Sequence, residues 1–445
     1  MLLSFTLIAI SFGVAESVVF TCPTNPIKFV TPNVGIIGVD PTGETKVPAG
    51  TNCLINFQIP DGYSLRVVTF AEGDIESDIF EMENAFGEKY KWFIKKATLK
   101  IASPNGTMSF FVRYQYKSIH KSPTNLVPRG TPFPTQIQTE TVYKLTQQRL
   151  AISIGRERTS GSFSKDIYFY DGDDLRNATL LGRLADLMKN KDRHYFDGTT
   201  LQIVSLHLHV RLQDVIVVNE ASAVENLTSY SIVIPESTIS KTILSGSACT
   251  FISSEFYGFN VKNMTISNEH GRAQIQGQSP TQKLPKIIEY TNDVDLNARF
   301  PQLIPTETFT VYAIDGNVTL IVEPARELNS SITGRRKGVI VSSNLWNSRS
   351  IGRRDYTYLE SAKELYNFTI GFEKTAFNNS ETFVSVSIGS FNGSHTRVMQ
   401  SFTDAQKPTD SISGIGNFLA VEIGNSVNTT DIRMTYTAEG ASKLI

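Results

Sequence analysis

Histidines, carboxylates and cysteines are the residues of this chain that could carry chemistry, and each set has a spacing to weigh. In LQIVSLHLHV, His207 and His209 are two apart. A strand there puts both imidazoles on one face, where they could ligate a metal. The opposite face, Val204, Leu206, Leu208 and Val210, is the apolar one, so the same pattern also describes two solvent-facing polar positions. Asp171, Asp173 and Asp174 in YDGDD form a dense acidic group. Two carboxylates about 5–10 Å apart would suit glycoside hydrolysis, and a solvated acidic turn gives the same string. A hydrolase also needs an activated nucleophile or a metal with an open position. No G-x-S-x-G, H-E-x-x-H, P-loop or G-x-G-x-x-G string stands in a suitable context. The residues do not read as an enzyme, and no cofactor is expected.

The three cysteines depend on compartment. Residues 1–15, MLLSFTLIAISFGVA, form an apolar run ending in small residues. It is short for a membrane span and fits a secretory signal cleaved near Ala15–Glu16. No later apolar stretch is long enough to cross a bilayer, and the TAEGASKLI end has no hydrophobic tail of the lipid-anchor kind. In an oxidising compartment Cys22 and Cys53 can pair across a loop of about thirty residues, worth roughly 3 kcal/mol of loop entropy. Cys249 is then left over, as a buried small apolar residue or a reactive thiol. Ten N-x-S/T sequons, at Asn105, Asn177, Asn226, Asn263, Asn317, Asn329, Asn367, Asn378, Asn392 and Asn428, agree with secretion. They are roughly twice the number chance would place.

Composition narrows the classes further. With 42 basic and 43 acidic residues the chain is not built to neutralise nucleic-acid phosphates. At 40% hydrophobic, with 27 Phe and 16 Tyr, it is too apolar to stay disordered. Six His and three Cys leave little for a structural metal framework. A length of 445 residues suggests three or four domains.

The elements that must position these residues are strands. Cys53, Ile55, Phe57 and Ile59 share one face; so do Met108, Phe110, Val112, Tyr114 and Tyr116. Tyr366, Phe368, Ile370 and Phe372 alternate with Asn367, and Ile432, Met434 and Tyr436 alternate with Arg433 and Thr435, expected to be exposed. Turn dipeptides such as Asp61-Gly62, Asn105-Gly106 and Asp315-Gly316 punctuate the runs. Helical periodicity is confined to LLGRLADLMKNK, residues 180–191. Short alternating strands with frequent turns mean sandwiches or barrels. Four times a sequon ends a turn before a strand, at Asn105, Asn226, Asn317 and Asn428, spacings near the size of one small sandwich. The reading is a signal at 1–15, a module at 18–120, a Pro-rich linker at 121–138, and modules at 139–235, 236–328 and 336–440. Arg335-Arg336-Lys337 and Arg353-Arg354 fall in loops, as a processing site, an anionic-glycan contact or plain surface charge.

The order of features in the first module resembles the CUB-like domain of secreted nematode proteins. Cys22 is followed by VTPNVGIIGVDPTG, then PAGTNCLINFQIPDGYSLRVVTF, then IASPNGTMSFFVRYQY. After the second cysteine the family has a hydrophobic strand and a Pro-x-Gly turn, here Cys53, Pro60 and Gly62. KGVIVSSNLW through GIGNFLAVEIGNSVNTTDIRMTYTA resembles the same pattern without cysteines, and DIYFYDGDDLRNATLLGRL with DGTTLQIVSLHLHV resembles its second half. The resemblance implies an all-β fold of tandem CUB-like, jelly-roll-type β-sandwich modules. It also implies a secreted, non-enzymatic recognition or adhesion glycoprotein in an innate immune or stress response, with the intestinal lumen as one setting. Its partners would be proteins or carbohydrates, microbial or host-surface glycans among them. A structural or mucosal-coat glycoprotein and a β-sandwich hydrolase are the alternatives. Many CUB domains bind calcium; Asp78 falls on one ligand position, and Glu72 or Glu76 could serve as another. Pro104 stands at the late-loop Asp position and Asn84 replaces a further Asp, while the second module has Lys165 at the ligand position beside Asp166. Calcium wants six to eight oxygens, mostly carboxylate, so the acidic loop also reads as solvated.

Overall fold

A computed structural model of the chain describes residues 18–29, 33–38, 45–74, 76–84, 92–119, 124–126, 142–146, 150–155, 163–189, 193–196, 200–206, 215–253, 258–280, 286–325, 327–346, 355–377, 380–391, 397–408, 410–424 and 431–441. Residues 1–17, His207, His209, Arg353, Arg354, Asn378, Asn392 and Asn428 lie outside them.

The chain is an array of β-sandwiches, most fully described in its last two units. Tyr230–Val233, Ile239–Ile243, Ala248–Ile252, Gly258–Ile266, Arg272–Gly277, Lys286–Thr291, Gln302–Ile304, Thr308–Ile314 and Val318–Ala325 form one unit. The next comprises Leu328–Ser331, Arg336–Val341, Asp355–Glu360, Tyr366–Ala376, Phe383–Gly389, Val398–Phe402, Ile412–Gly416, Phe418–Gly424 and Asp431–Gly440. In both, the first, third, eighth, fifth and sixth strands make one sheet in that order, and the second, ninth, fourth and seventh make the other. The first strand runs parallel to the third, and the remaining pairs are antiparallel. Even an irregularity repeats. Register slips by one residue between Val261 and Asn263, and again between Phe372 and Lys374, on the fourth strand against the ninth. The extra residue of each bulge is charged, Lys262 or Glu373, and pairs across the face with Glu323 or Arg433.

The same plan can be followed upstream. Thr124–Leu126 runs parallel to Val142–Thr146, which leads through Thr200–Ser205 and Ile167–Asp171 to Thr179–Arg183. Leu150–Gly155 pairs between His194–Phe196 and Val215–Glu220 in the facing sheet. In the N-terminal unit Thr51–Gln58, Lys96–Ser103 and Ile79–Asn84 form one sheet, and Ile27 bridges Phe57 in parallel. Ser109–Ser118 centres the other sheet, between Val34–Gly38 and Tyr63–Glu72.

Strand pairing corrects parts of the sequence reading. Thr124–Leu126, from the stretch read as linker, is a strand paired within the second unit. Tyr230–Val233 pairs forward with Ala248–Phe251, so the sequon at Asn226 precedes a first strand, whereas those at Asn105 and Asn317 precede last strands. The helical pattern at 180–191 yields one turn, Leu184–Leu187, after the strand Thr179–Arg183. Cross-strand bonds to Ile167–Asp171 outweigh a helix too short to sustain itself.

The alternating faces behave as their periodicity requires. Cys53, Ile55, Phe57 and Ile59 are buried, as are Met108, Phe110, Val112 and Tyr116. In the last unit Ile432, Met434 and Tyr436 enter the core, while Asn367 is exposed. Arg433 and Thr435, expected to be exposed, are only partly so. Arg433 reaches out of its own sandwich and donates to the Ile287 carbonyl at 3.0 Å. Neighbouring cores also interpenetrate. Trp346, fully buried, packs among Phe259, Ile275 and Phe309 of the preceding sandwich, and Leu303 of that sandwich packs into the last core. A Cβ on Gly277 would lie 1.9 Å from the Trp346 carbonyl oxygen, so only glycine allows this approach.

Replacing Met434 by Asp should therefore cost several kcal/mol, read as a lowered urea midpoint, because it buries an unpaired carboxylate. Asn367→Gln, on the solvent side of the adjacent strand in the same sheet, should stay within about 0.5 kcal/mol of the parent.

Candidate functional site

The N-terminal sandwich is fastened by a disulfide between Cys22 and Cys53, whose Cα atoms lie 5.8 Å apart. It ties the segment between the strands Val18–Val19 and Val34–Gly38 to an inward position of Thr51–Gln58. Cys249 is buried as a thiol, and burial pushes its pKa up to about 11. At neutral pH it is an uncharged apolar side chain, not a nucleophile.

At one end of this sandwich the loop after Tyr63–Glu72 folds around Asp78. Its carboxylate accepts from the Ser103 hydroxyl at 2.7 Å, the Thr107 hydroxyl at 2.8 Å and the Asp74 amide at 2.9 Å. Gly73 permits the closure, since a Cβ there would sit 2.4 Å from Asp78 Oδ2. Desolvation works against the charged form, but the three donors together hold the carboxyl below its ordinary value. Glu72 and Glu76 are exposed, and the Glu76 amide donates to Asp74 at 3.1 Å. Asp78 is thus the hydrogen-bonded hub that joins this loop to the Ser103–Thr107 turn. Among the described residues no group of three or more His, Cys, Asp or Glu is placed to hold a metal ion.

The acidic YDGDD turn lies at the junction of the first two sandwiches. Asp173 accepts from the Thr200 hydroxyl at 2.9 Å, and Asp174 forms an ion pair with Arg176. Beside it Tyr63, Lys95, Tyr170 and Leu175 line a recess enclosing about 10 Å³, room for one water. Ile94 and Ile119 pack there against Tyr168, Tyr170 and Leu206, so the recess is a joint between modules. The basic run is likewise tied down: Arg335 and Lys337 reach Asp295 at 3.0 and 2.6 Å, and Arg336 donates to the Pro301 carbonyl. These residues join the last two sandwiches.

Two surfaces emerge that sequence reasoning missed. On the outer face of the N-terminal sandwich, Ile36 and Val68 flank exposed Arg113 in one row of the sheet, and Phe70 and Phe111 face each other in the next. Ile36, Val68 and Phe70 are 47%, 49% and 55% exposed. On the outer face of the last sandwich, Tyr356, Tyr358, Phe418 and Phe391 form a row of rings. Successive centroids lie 6.2, 6.2 and 5.4 Å apart, with interplanar angles of 7°, 26° and 26°. The Y-x-Y spacing of Tyr356 and Tyr358 was a usable signal for one pair; the row itself crosses strands. All seven described sequon asparagines, Asn105, Asn177, Asn226, Asn263, Asn317, Asn329 and Asn367, are exposed. No described helix is long and apolar enough to cross a membrane.

Melting temperature should fall as pH drops below about 4, because Asp78 ionises more readily folded than unfolded. Its contribution is present above the unfolded pKa and is lost as pH falls through the lower folded value. In Asp78→Asn the acid-induced fall should be shallower, which thermal unfolding between pH 2 and 7 would show.

Comparison with known proteins places these features beside others. Residues 17–120 match the family model for the CUB-like domain. Among solved structures, the chain is similar to the CUB1-EGF-CUB2 domain of human MASP-1/3, at 9% identity over 46% of this chain and 94% of that one, with a TM-score of 0.19. The CUB1-EGF-CUB2 domains of rat MASP-1 match at 10% identity over 47% and 99%, with a TM-score of 0.17. No curated protein matches.

Proposed function

We propose that this chain is a secreted, non-enzymatic recognition glycoprotein whose N-terminal CUB-like domain contacts a protein partner through the outer face around Arg113. The observation that carries the reading is the exposed cluster of Ile36, Val68 and Phe70 about that cation. Contiguous exposed apolar side chains on a soluble domain mark an interaction site, and a central arginine suits a partner that offers a carboxylate. The Cys22–Cys53 disulfide and the exposed sequons support an extracellular setting. The resemblance to nematode CUB-like proteins adds an innate immune or stress role, with microbial or host-surface glycans among the ligands and the intestinal lumen as a location. A mucosal-coat glycoprotein is the second reading, favoured by sequons distributed over all four sandwiches.

The test is capture of the secreted full chain on bacterial surfaces and host secretions, with and without a calcium chelator. Phe70→Ser and Arg113→Glu should abolish capture while leaving the melting profile of the chain in place. Capture that survives both substitutions would remove this face from the reading; a sequon-dependent coat without any captured partner would favour the second.

A further inference from the structure

The ring row of the last sandwich lies beside a sequon. Leu328–Ser331 is the edge strand of the five-stranded sheet, and its register pairs Leu328 with Thr357 and Asn329 with Tyr358. Leu328, Thr357 and Leu359 are buried, so the alternate positions Asn329 and Tyr358 share the outer face. Asn329 is exposed and opens the sequon Asn329-Ser330-Ser331. From Tyr358 the rings continue to Tyr356 on one side and to Phe418 and Phe391 on the other, with Phe391 57% exposed. Carboxylates border them: Glu360 pairs in register with Phe418 and accepts the Tyr358 hydroxyl, and Glu422 pairs with Tyr356.

We propose that the N-linked glycan of Asn329 docks on this row, its first sugars lying over Tyr358 and the neighbouring rings. The chemistry is that of a pyranose: its C–H face is apolar and covers an aromatic ring, while its hydroxyls donate to carboxylates at the rim. Among the described sequons, Asn329 pairs in register with a ring of this row. The docked glycan also covers an edge strand whose outward backbone groups would otherwise invite another chain. The inference rests on the extracellular reading above, since glycosylation requires the secretory route.

The experiment uses the full chain secreted from a glycosylating cell line, with occupancy read by glycopeptide mass spectrometry and protection by hydrogen exchange. Asn329 should be occupied. Removing the whole glycan, or Asn329→Gln, should raise exchange several-fold in Leu328–Ser331 and Asp355–Glu360, whereas trimming to one N-acetylglucosamine should retain most of the protection. Tyr358→Ser should erase the difference between glycosylated and deglycosylated chains; if that variant does not fold, Asn329→Gln alone decides. An empty Asn329 beside occupied Asn105 and Asn317 would overturn the inference and leave the extracellular reading standing. So would an occupied Asn329 whose removal changes no exchange. A chain that is retained in the cell with every sequon empty would overturn both.

Discussion

In three of the sandwiches the strand that ends the unit in sequence lies inside a sheet, hydrogen-bonded on both sides. Asp431–Gly440 joins Arg336–Val341 to Tyr366–Ala376, Val318–Ala325 joins Ile239–Ile243 to Gly258–Ile266, and Ser109–Ser118 joins Val34–Gly38 to Tyr63–Glu72. Such a sheet cannot close until its last strand arrives. Until then its first strands have unpaired backbone groups and an uncovered apolar face. Each unit must therefore form as a whole from contacts distant in sequence, a topology that folds slowly. The repeated bulge on the fourth strand fits this demand, bending the ladder where the longest two strands meet.

The units are joined by more than peptide bonds. Asn219 donates to Ser279 and to the Pro280 carbonyl across the second junction, and Ile94 and Ile119 pack into the first. The third junction is the most intimate, with Trp346 and Leu303 each buried in the other unit's core. Only the N-terminal unit has a disulfide. The units without a disulfide rely on packing and on their neighbours.

Much of the strand content was legible because inward and outward residues alternate cleanly, as in Cys53–Ile59 and Met108–Tyr116. The unit boundaries were less so. Each begins with a short strand, such as Thr124–Leu126 or Leu328–Ser331, that carries too few residues to show a period and lies among polar or proline-rich sequence. A parallel partner some eighteen or more residues away, not local pattern, makes them strands. The Asn226 sequon misled for a related reason: a turn before a strand looks the same whether that strand opens a unit or closes one. Asp78 was found by its place in a resemblance, but its three donors come from two loops that sequence does not bring together. The exposed face around Arg113 and the ring row are products of register, since Ile36, Arg113 and Val68 become neighbours only when three separate strands align.

The exchange of Trp346 and Leu303 between cores has a mechanical meaning. A chain pulled by its ends does not meet four equal links. The first sandwich is partly locked by a covalent bridge, which limits how far it can lengthen. Each of the last two holds a side chain of its neighbour in its own core, so drawing out one also disturbs the other. Force on that pair would therefore load both cores together.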